Sequence, residues 1–376
     1  MKEKVRYISA DLLRGLVIII MIEVHVFNAF LLPELKQTGW FSVLNFINGL
    51  VAPSFLFVSG FAFQVSSGGK LDEMRKFGKA FWKKMQRIFQ IIIIGYMLHI
   101  PFYSLSKTIH EATPEIMNSF YAVDVLQCIG VGLLYLYIFR LLIKSDKIYN
   151  YFLILSFIII SIVSPYIWKV DFNNYMHPFF ASYFNTKNGS LFPIFPWLNF
   201  LLAGAVFAKY FVDARERDEE TKFIKSTAIA GLITLALGHI FFSPLFPESI
   251  QSIKPHFVFL LERLGYVLFI LTICWVVDKK YKIKKGFVLD ASRESLLVYW
   301  LHLVIIFGTF WNSKSLANII GPTFNLIQAI IATIVLITLM IIIAKIWGWA
   351  KRNYPKYASI FVKVFVTVLI IVYILK

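Results

Sequence analysis

The stretch DLLRGLVIIIMIEVHVFNAFLL, residues 11–32, decides the fold. A bilayer is crossed by about 20 predominantly apolar residues in one helix, and this run is long enough. It nevertheless carries Asp11, Arg14, Glu23 and His25. Each ionisable group at bilayer depth costs roughly 2.5 to 3.5 kcal/mol on insertion scales, so the four require partners, chemistry or both.

Outward from this segment the pattern recurs. Apolar runs separated by short charged or proline-bearing segments occupy about 11–32, 43–66, 86–106, 120–143, 150–168, 193–212, 223–245, 256–277, 290–311, 322–345 and 358–375. They predict an all-α, polytopic integral membrane helix bundle with about 11 transmembrane helices, forming a single domain over 1–376. Composition agrees, with 59% of residues hydrophobic against roughly 45 to 50% in an ordinary soluble domain. The first run is too long and too charged for a cleaved secretory signal, so it is read as a retained helix. Cys128 and Cys274 fall within predicted helices near opposite faces, and neither a disulfide nor a metal site is expected.

The net charge of +17 is explained by its placement. Most of the 38 lysines and arginines lie in alternate connections: Lys2, Lys4 and Arg6, then the groups at 70–87, 140–147, 209–225, 279–285 and 345–356. The intervening connections hold few, such as Lys36, Lys107, Lys187 and Lys314. Alternation of this kind predicts a cytoplasmic amino terminus and an outside carboxyl terminus. The partner of most of this charge is therefore an anionic lipid surface, with no nucleic acid. The longest external connection, 169–192, is rich in Asn, Tyr and Phe and reads equally as a plain surface loop or as a contact for a polar partner. No internal repeat is evident, which weakens an inverted-repeat transporter.

At about 100° per residue, Asp11, Arg14, His25 and Asn28 share one face of the first helix, and Glu23 lies almost opposite. Arg14 and His25 are about 16 Å apart along the axis, Arg14 at the cytoplasmic end. A guanidinium suits a phosphate, although Arg14 also has Asp11 three residues away as an ion-pair partner. An imidazole exchanges a proton near neutral pH, as general acid or base catalysis needs, although a lone intramembrane histidine also serves packing. Glu23 reads as a partner for a neighbouring helix.

Three other helices carry candidates. AVDVLQCIGVGLL places Asp124, Gln127 and Cys128 on one face near the outer surface. HFVFLLERLGYVL starts with His256 and carries Glu262 and Arg263, for which mutual ion pairing is the structural alternative. DASRESLLVYWLHLVIIFG lines up Ser295, Tyr299 and His302, with Arg293 and Glu294 at its cytoplasmic end. Pro53 suggests a kink in the second helix and Gly60 a close backbone approach. Trp197, at the entry to the sixth helix, reads as an interface anchor or a ligand. His99, His110, His177 and His239 show no partner pattern.

Five segments, in this order, resemble the catalytic domain family of heparan-α-glucosaminide N-acetyltransferase, within the larger transmembrane acyltransferase superfamily. They are SADLLRGLVIIIMIEVHVF, PSFLFVSGF, DVLQCIGVGLL, FPWLNFLLAGAVFA and SRESLLVYWLHLVIIFG. The resemblance implies transfer of an acyl group, usually acetyl, from cytoplasmic acetyl-CoA to a sugar or polysaccharide acceptor across the membrane. By analogy it places Arg14 at the cytoplasmic, donor-binding end and His25 at the catalytic centre. Residue type and depth, not the resemblance, add Asp124 and His302 to the expected catalytic set and Arg293 to the donor-binding residues. On the same grounds Asn28, Gln127, Arg263 and Trp197 are the expected acceptor contacts. The human-type enzyme resembles this chain less at the histidine, with an asparagine matching His25 and its own histidine nearer the PSFLFVSG match. This chain has no histidine between His25 and His99, so the expectation moves to His25. The expected location is a bacterial cytoplasmic membrane. Two other classes use similar residues: a proton-coupled transporter, which would move its substrate unchanged, and a non-catalytic partner in envelope assembly, which would tolerate loss of His25.

Overall fold

Apolar runs without internal helix breakers form helices because every backbone N–H and C=O must be paired within the segment when no water is available. The computed structural model describes residues 6–67, 71–241, 247–308 and 315–376. It is 81% helical, with no strand among the described residues. Lys2, Lys4, Lys70 and Lys314, and the expected helix ends at 242–245 and 309–311, lie outside the described residues.

The main helices are α1 (Ile8–Phe30), α2 (Gly39–Asn48), α3 (Val51–Ser67), α4 (Leu71–Arg75), α5 (Lys79–Met97), α6 (Val125–Leu142) and α7 (Asp146–Lys169). They continue as α8 (Ile194–Glu216), α9 (Glu220–Phe241), α10 (Phe257–Tyr281), α11 (Phe287–Arg293), α12 (Ser295–Phe307), α13 (Leu326–Asn353) and α14 (Pro355–Leu375). Among the described residues, eight helical runs are long and apolar enough to cross a membrane: α2 with α3, then α6, α7, α8, α9, α10, α13 and α14. The remaining expected runs are also helical, over α1, α5 and the α11–α12 pair. The chain is an all-α polytopic membrane protein. Rows of bare aliphatic side chains on its helices agree, as on α13, where Ile327 is 68% and Val335 61% exposed. Such rows are the low-energy surface against hydrocarbon, where exposed apolar groups carry no hydration penalty.

Two expected details shift. The second run breaks at Gly49 and Leu50, and Pro53 falls in the first turn of α3. Proline is tolerated there because the first backbone N–H groups of a helix have no intrahelical partner to lose. The 290–311 run divides at Glu294, whose backbone (φ −107, ψ 27) separates α11 from α12.

The chain folds into two compact units. The first comprises Met1–Val51, Leu98–Met117 and Val277–Lys376. Here α1 packs on α11, α12 and α13, and α11 on α13. Gly15 makes the first contact possible, since a Cβ at that position would lie 2.0 Å from the carbonyl oxygen of Val288. A capping box starts α13, with Asn325 and Gln328 each accepting the other's backbone N–H at 2.9 Å. At the far end of α1, Leu32 N donates to Phe324 O at 3.0 Å and Phe324 N to Phe30 O at 2.7 Å. Lys36 Nζ donates to the Asn28 carbonyl at 2.8 Å, and burial pushes its amine below the ordinary lysine value.

The second unit comprises Ala52–Met97 and Asn118–Val276. Glycines bring α3 and α8 together: a Cβ on Gly60 would lie 1.9 Å from Leu201 O, and one on Gly204 would lie 1.9 Å from Phe57 O. Small residues at such crossings let two backbones touch in a membrane. Arg75 of α4 donates to the carbonyls of Arg140, Leu141 and Ile143 (2.8–3.1 Å), closing the carboxyl end of α6. The 169–192 connection is folded on itself, with Asn173 and Asn188 exchanging two 2.9 Å hydrogen bonds and Ser190 Oγ donating to Ser182 O at 2.7 Å.

Candidate active site

In the first unit, α1 and α12 bring two histidines together. The rings of His25 and His302 are 5.2 Å apart, centroid to centroid, tilted by 44°. Phe307 meets His25 edge-on at 5.8 Å, and Tyr299 meets His302 edge-on at 6.0 Å. His25 is half-buried; His302 is fully buried.

His302 has its protons assigned by one contact. Its Nδ1 lies 2.7 Å from the carbonyl oxygen of Val298, one helical turn earlier. A carbonyl oxygen only accepts, so Nδ1 carries the proton and donates, and in the neutral ring Nε2 holds a lone pair. That Nε2 is buried and has no hydrogen-bond partner among the described residues. A buried polar atom left unmet costs about 1–3 kcal/mol, and in native structures it is accounted for by strain, by a catalytic role or by an ordered water or ion. The site therefore places one oriented proton acceptor beside a second imidazole, flanked by the rings of Phe307 and Tyr299. That arrangement can take a proton from an attacking amine or hydroxyl and return it.

The other residues singled out from the sequence fall as follows. Arg14 is half-buried and 3.7 Å from Asp11, which also pairs with Arg6 at 2.6 Å, so the ion-pair alternative for Arg14 is realised. Arg293 lies 3.5 Å from Asp290 and lines a cavity shared with α13. Asn28 follows His25 on α1 and is exposed. Glu23, expected to serve a neighbouring helix, lies beside Asn48 of α2.

Asp124, Gln127, Trp197 and Arg263 belong to the second unit. Asp124 is the N-cap of α6, its Oδ1 accepting from Val125 N at 2.7 Å. Gln127 is fully buried beside Gly95, and neither its Oε1 nor its Nε2 has a partner among the described residues. Trp197 is half-buried against Phe192 and Phe200. Arg263 lies over the ring of Phe259 at 5.0 Å, while its neighbour Glu262 faces His239 at 4.0 Å. His239 thus has the partner that the sequence did not show. Cys128 and Cys274 are buried free thiols.

Lys345 and Arg352 read from the sequence only as topology charges. With Gly348 they line the cavity that Arg293 faces. The signal was the i, i+3, i+7 spacing in KIWGWAKR, which puts all three on one face of α13. No group of three His, Cys, Asp or Glu placed to hold a metal ion occurs among the described residues.

A search of curated proteins finds no match. A family model described as heparan-alpha-glucosaminide N-acetyltransferase, catalytic, matches residues 6–244, which include His25, Asp124, Gln127 and Trp197. The match takes in well over half of the 376 residues, and the chain therefore belongs to the heparan-α-glucosaminide N-acetyltransferase catalytic family, a family of membrane acetyltransferases.

Proposed function

We propose that the chain transfers an acetyl group from acetyl-CoA, taken at the cytoplasmic face, to a sugar or polysaccharide acceptor on the opposite face of a bacterial cytoplasmic membrane, with 1–376 acting as one catalytic domain. The observation that carries this reading is the paired histidines, with a buried, proton-accepting Nε2 on His302 5.2 Å (ring to ring) from His25. The donor supplies an activated acyl carbon. The acceptor's N–H or O–H proton passes to an imidazole of the pair, the acceptor heteroatom bonds to the acyl carbon, the C–S bond breaks, and the proton leaves with the thiolate as CoA thiol. Val298 O holds the His302 ring in the tautomer that has room for this proton only at Nε2.

Arg14 and Arg293 supply cations for the donor's phosphates. Asn28, Gln127, Arg263 and Trp197 are proposed acceptor contacts, and Asp124 a proposed positioning residue through its cap on α6. The same imidazole pair would suit a proton relay in a transporter, but a transporter releases no CoA. The test is purified protein in detergent with labelled acetyl-CoA and a panel of amino sugars and polysaccharides. Label transfer with stoichiometric CoA release, lost in His25→Ala, is the expected result. Absence of CoA release with every acceptor would move the transporter reading ahead.

A further inference from the structure

A cavity of about 130 Å³ lies between α11 and α13, lined by Asp290, Arg293, Glu294, Lys345, Gly348 and Arg352, with Ala344. It lies beyond residue 244, outside the segment that the family match covers. Its charges are not mutually spent. Glu294 is engaged by Lys351 at 2.6 Å, and Asp290 by Arg293 at 3.5 Å. Lys345 and Arg352 have no ion pair among the described residues. With Lys351 counted, the rim carries more cations than carboxylates, on two helices that pack directly on each other. Gly348 keeps the space open: a Cβ there would stand 3.5 Å from an Arg352 guanidinium nitrogen and 3.6 Å from Glu294 Oε1, so a larger side chain would project into the cavity.

We propose that Arg293, Lys345 and Arg352 form a subsite for a phosphate monoester or diphosphate, the nucleotide end of the acyl donor; this rests on the acetyl-CoA reading above. Two guanidiniums offer forked donors to phosphoryl oxygens, and the lysine adds a compact charge. The distance suits the donor. Glu294 and His302 are eight residues apart, about 12 Å along α12, a span of the order that an extended pantetheine arm covers.

The experiment uses the full chain in a neutral detergent, with adenosine 3′,5′-bisphosphate as probe. Saturable binding is expected, weakened at least tenfold in the Lys345→Gln, Arg352→Gln double variant and in Gly348→Leu, which removes no charge. In turnover, the ratio of kcat/KM for acetyl-CoA to that for acetylpantetheine, which lacks the nucleotide, is expected to fall at least tenfold in the double variant. A ratio is insensitive to partial loss of folded protein. Wild-type binding of the probe by the double variant overturns the proposal. So does a wild-type protein that ignores the probe but binds phosphatidylglycerol vesicles through the same residues, which would make the cavity a lipid headgroup site. Probe binding that depends on Lys345 and Arg352 in a protein with no acetyl transfer would leave the subsite standing and sink the transferase reading alone.

Discussion

His302 and His25 divide the chemistry by what each ring can do. Val298 O fixes the His302 tautomer, so only Nε2 is available to accept a proton, and burial keeps water from competing for it. His302→Ala is expected to lower kcat by about 10² to 10⁴, the usual range for a general acid or base. His302→Gln, which keeps an acceptor but cannot carry a proton away, is expected to stay within that loss. A steady-state assay on folded protein checks both, and a wild-type rate in either removes His302 from the reaction. Both histidines were legible in the sequence because a polar ring inside an apolar run stands out. Their meeting was not, since positions 25 and 302 are joined only by the packing of α1 on α12, and periodicity fixes a helix face without naming its neighbour.

The helices owe their close packing to a few positions, and substitutions there test the fold independently of catalysis. Gly60→Val or Gly204→Val would drive a side chain into the facing carbonyl at 1.9 Å. Each is expected to destabilise by about 1–3 kcal/mol or more, read as a lower Tm in detergent. Gly39→Ala, with nothing within 4 Å of its Cβ, is the control expected to leave Tm unchanged. Asp124→Ala is expected to remove the α6 cap at a cost of about 1 kcal/mol, and Asp124→Asn, an equally good cap, to restore it. If Asn restores the Tm but not the rate, the carboxylate has a role beyond the cap. Gly60 was legible as a close approach, whereas the kink expected at Pro53 moved to Gly49 and Leu50. The proline ring fits a first turn without breaking a hydrogen bond, so it begins α3 instead of bending it.

Across the whole molecule, hydrophobic runs and alternating charge carried the all-α membrane class, while helix bounds moved both at breaks such as Glu294 and where a helix continues into charged residues, as α13 does to Asn353 and α5 does from Lys79. The topology expected from charge has its own test. In a chain with the two native cysteines replaced, Lys187→Cys is expected to react with an impermeant maleimide on intact cells, and Lys222→Cys only after permeabilisation; the reverse pattern would invert the orientation. Whether His25 and His302 act as one catalytic unit is decided by acetyl transfer from labelled acetyl-CoA in His25→Ala, His302→Ala and the double variant. Residues that share one step are non-additive, so the double variant is predicted to be no slower than the slower single variant. Losses that multiply, or a His302→Ala enzyme with the wild-type rate, would contradict the account.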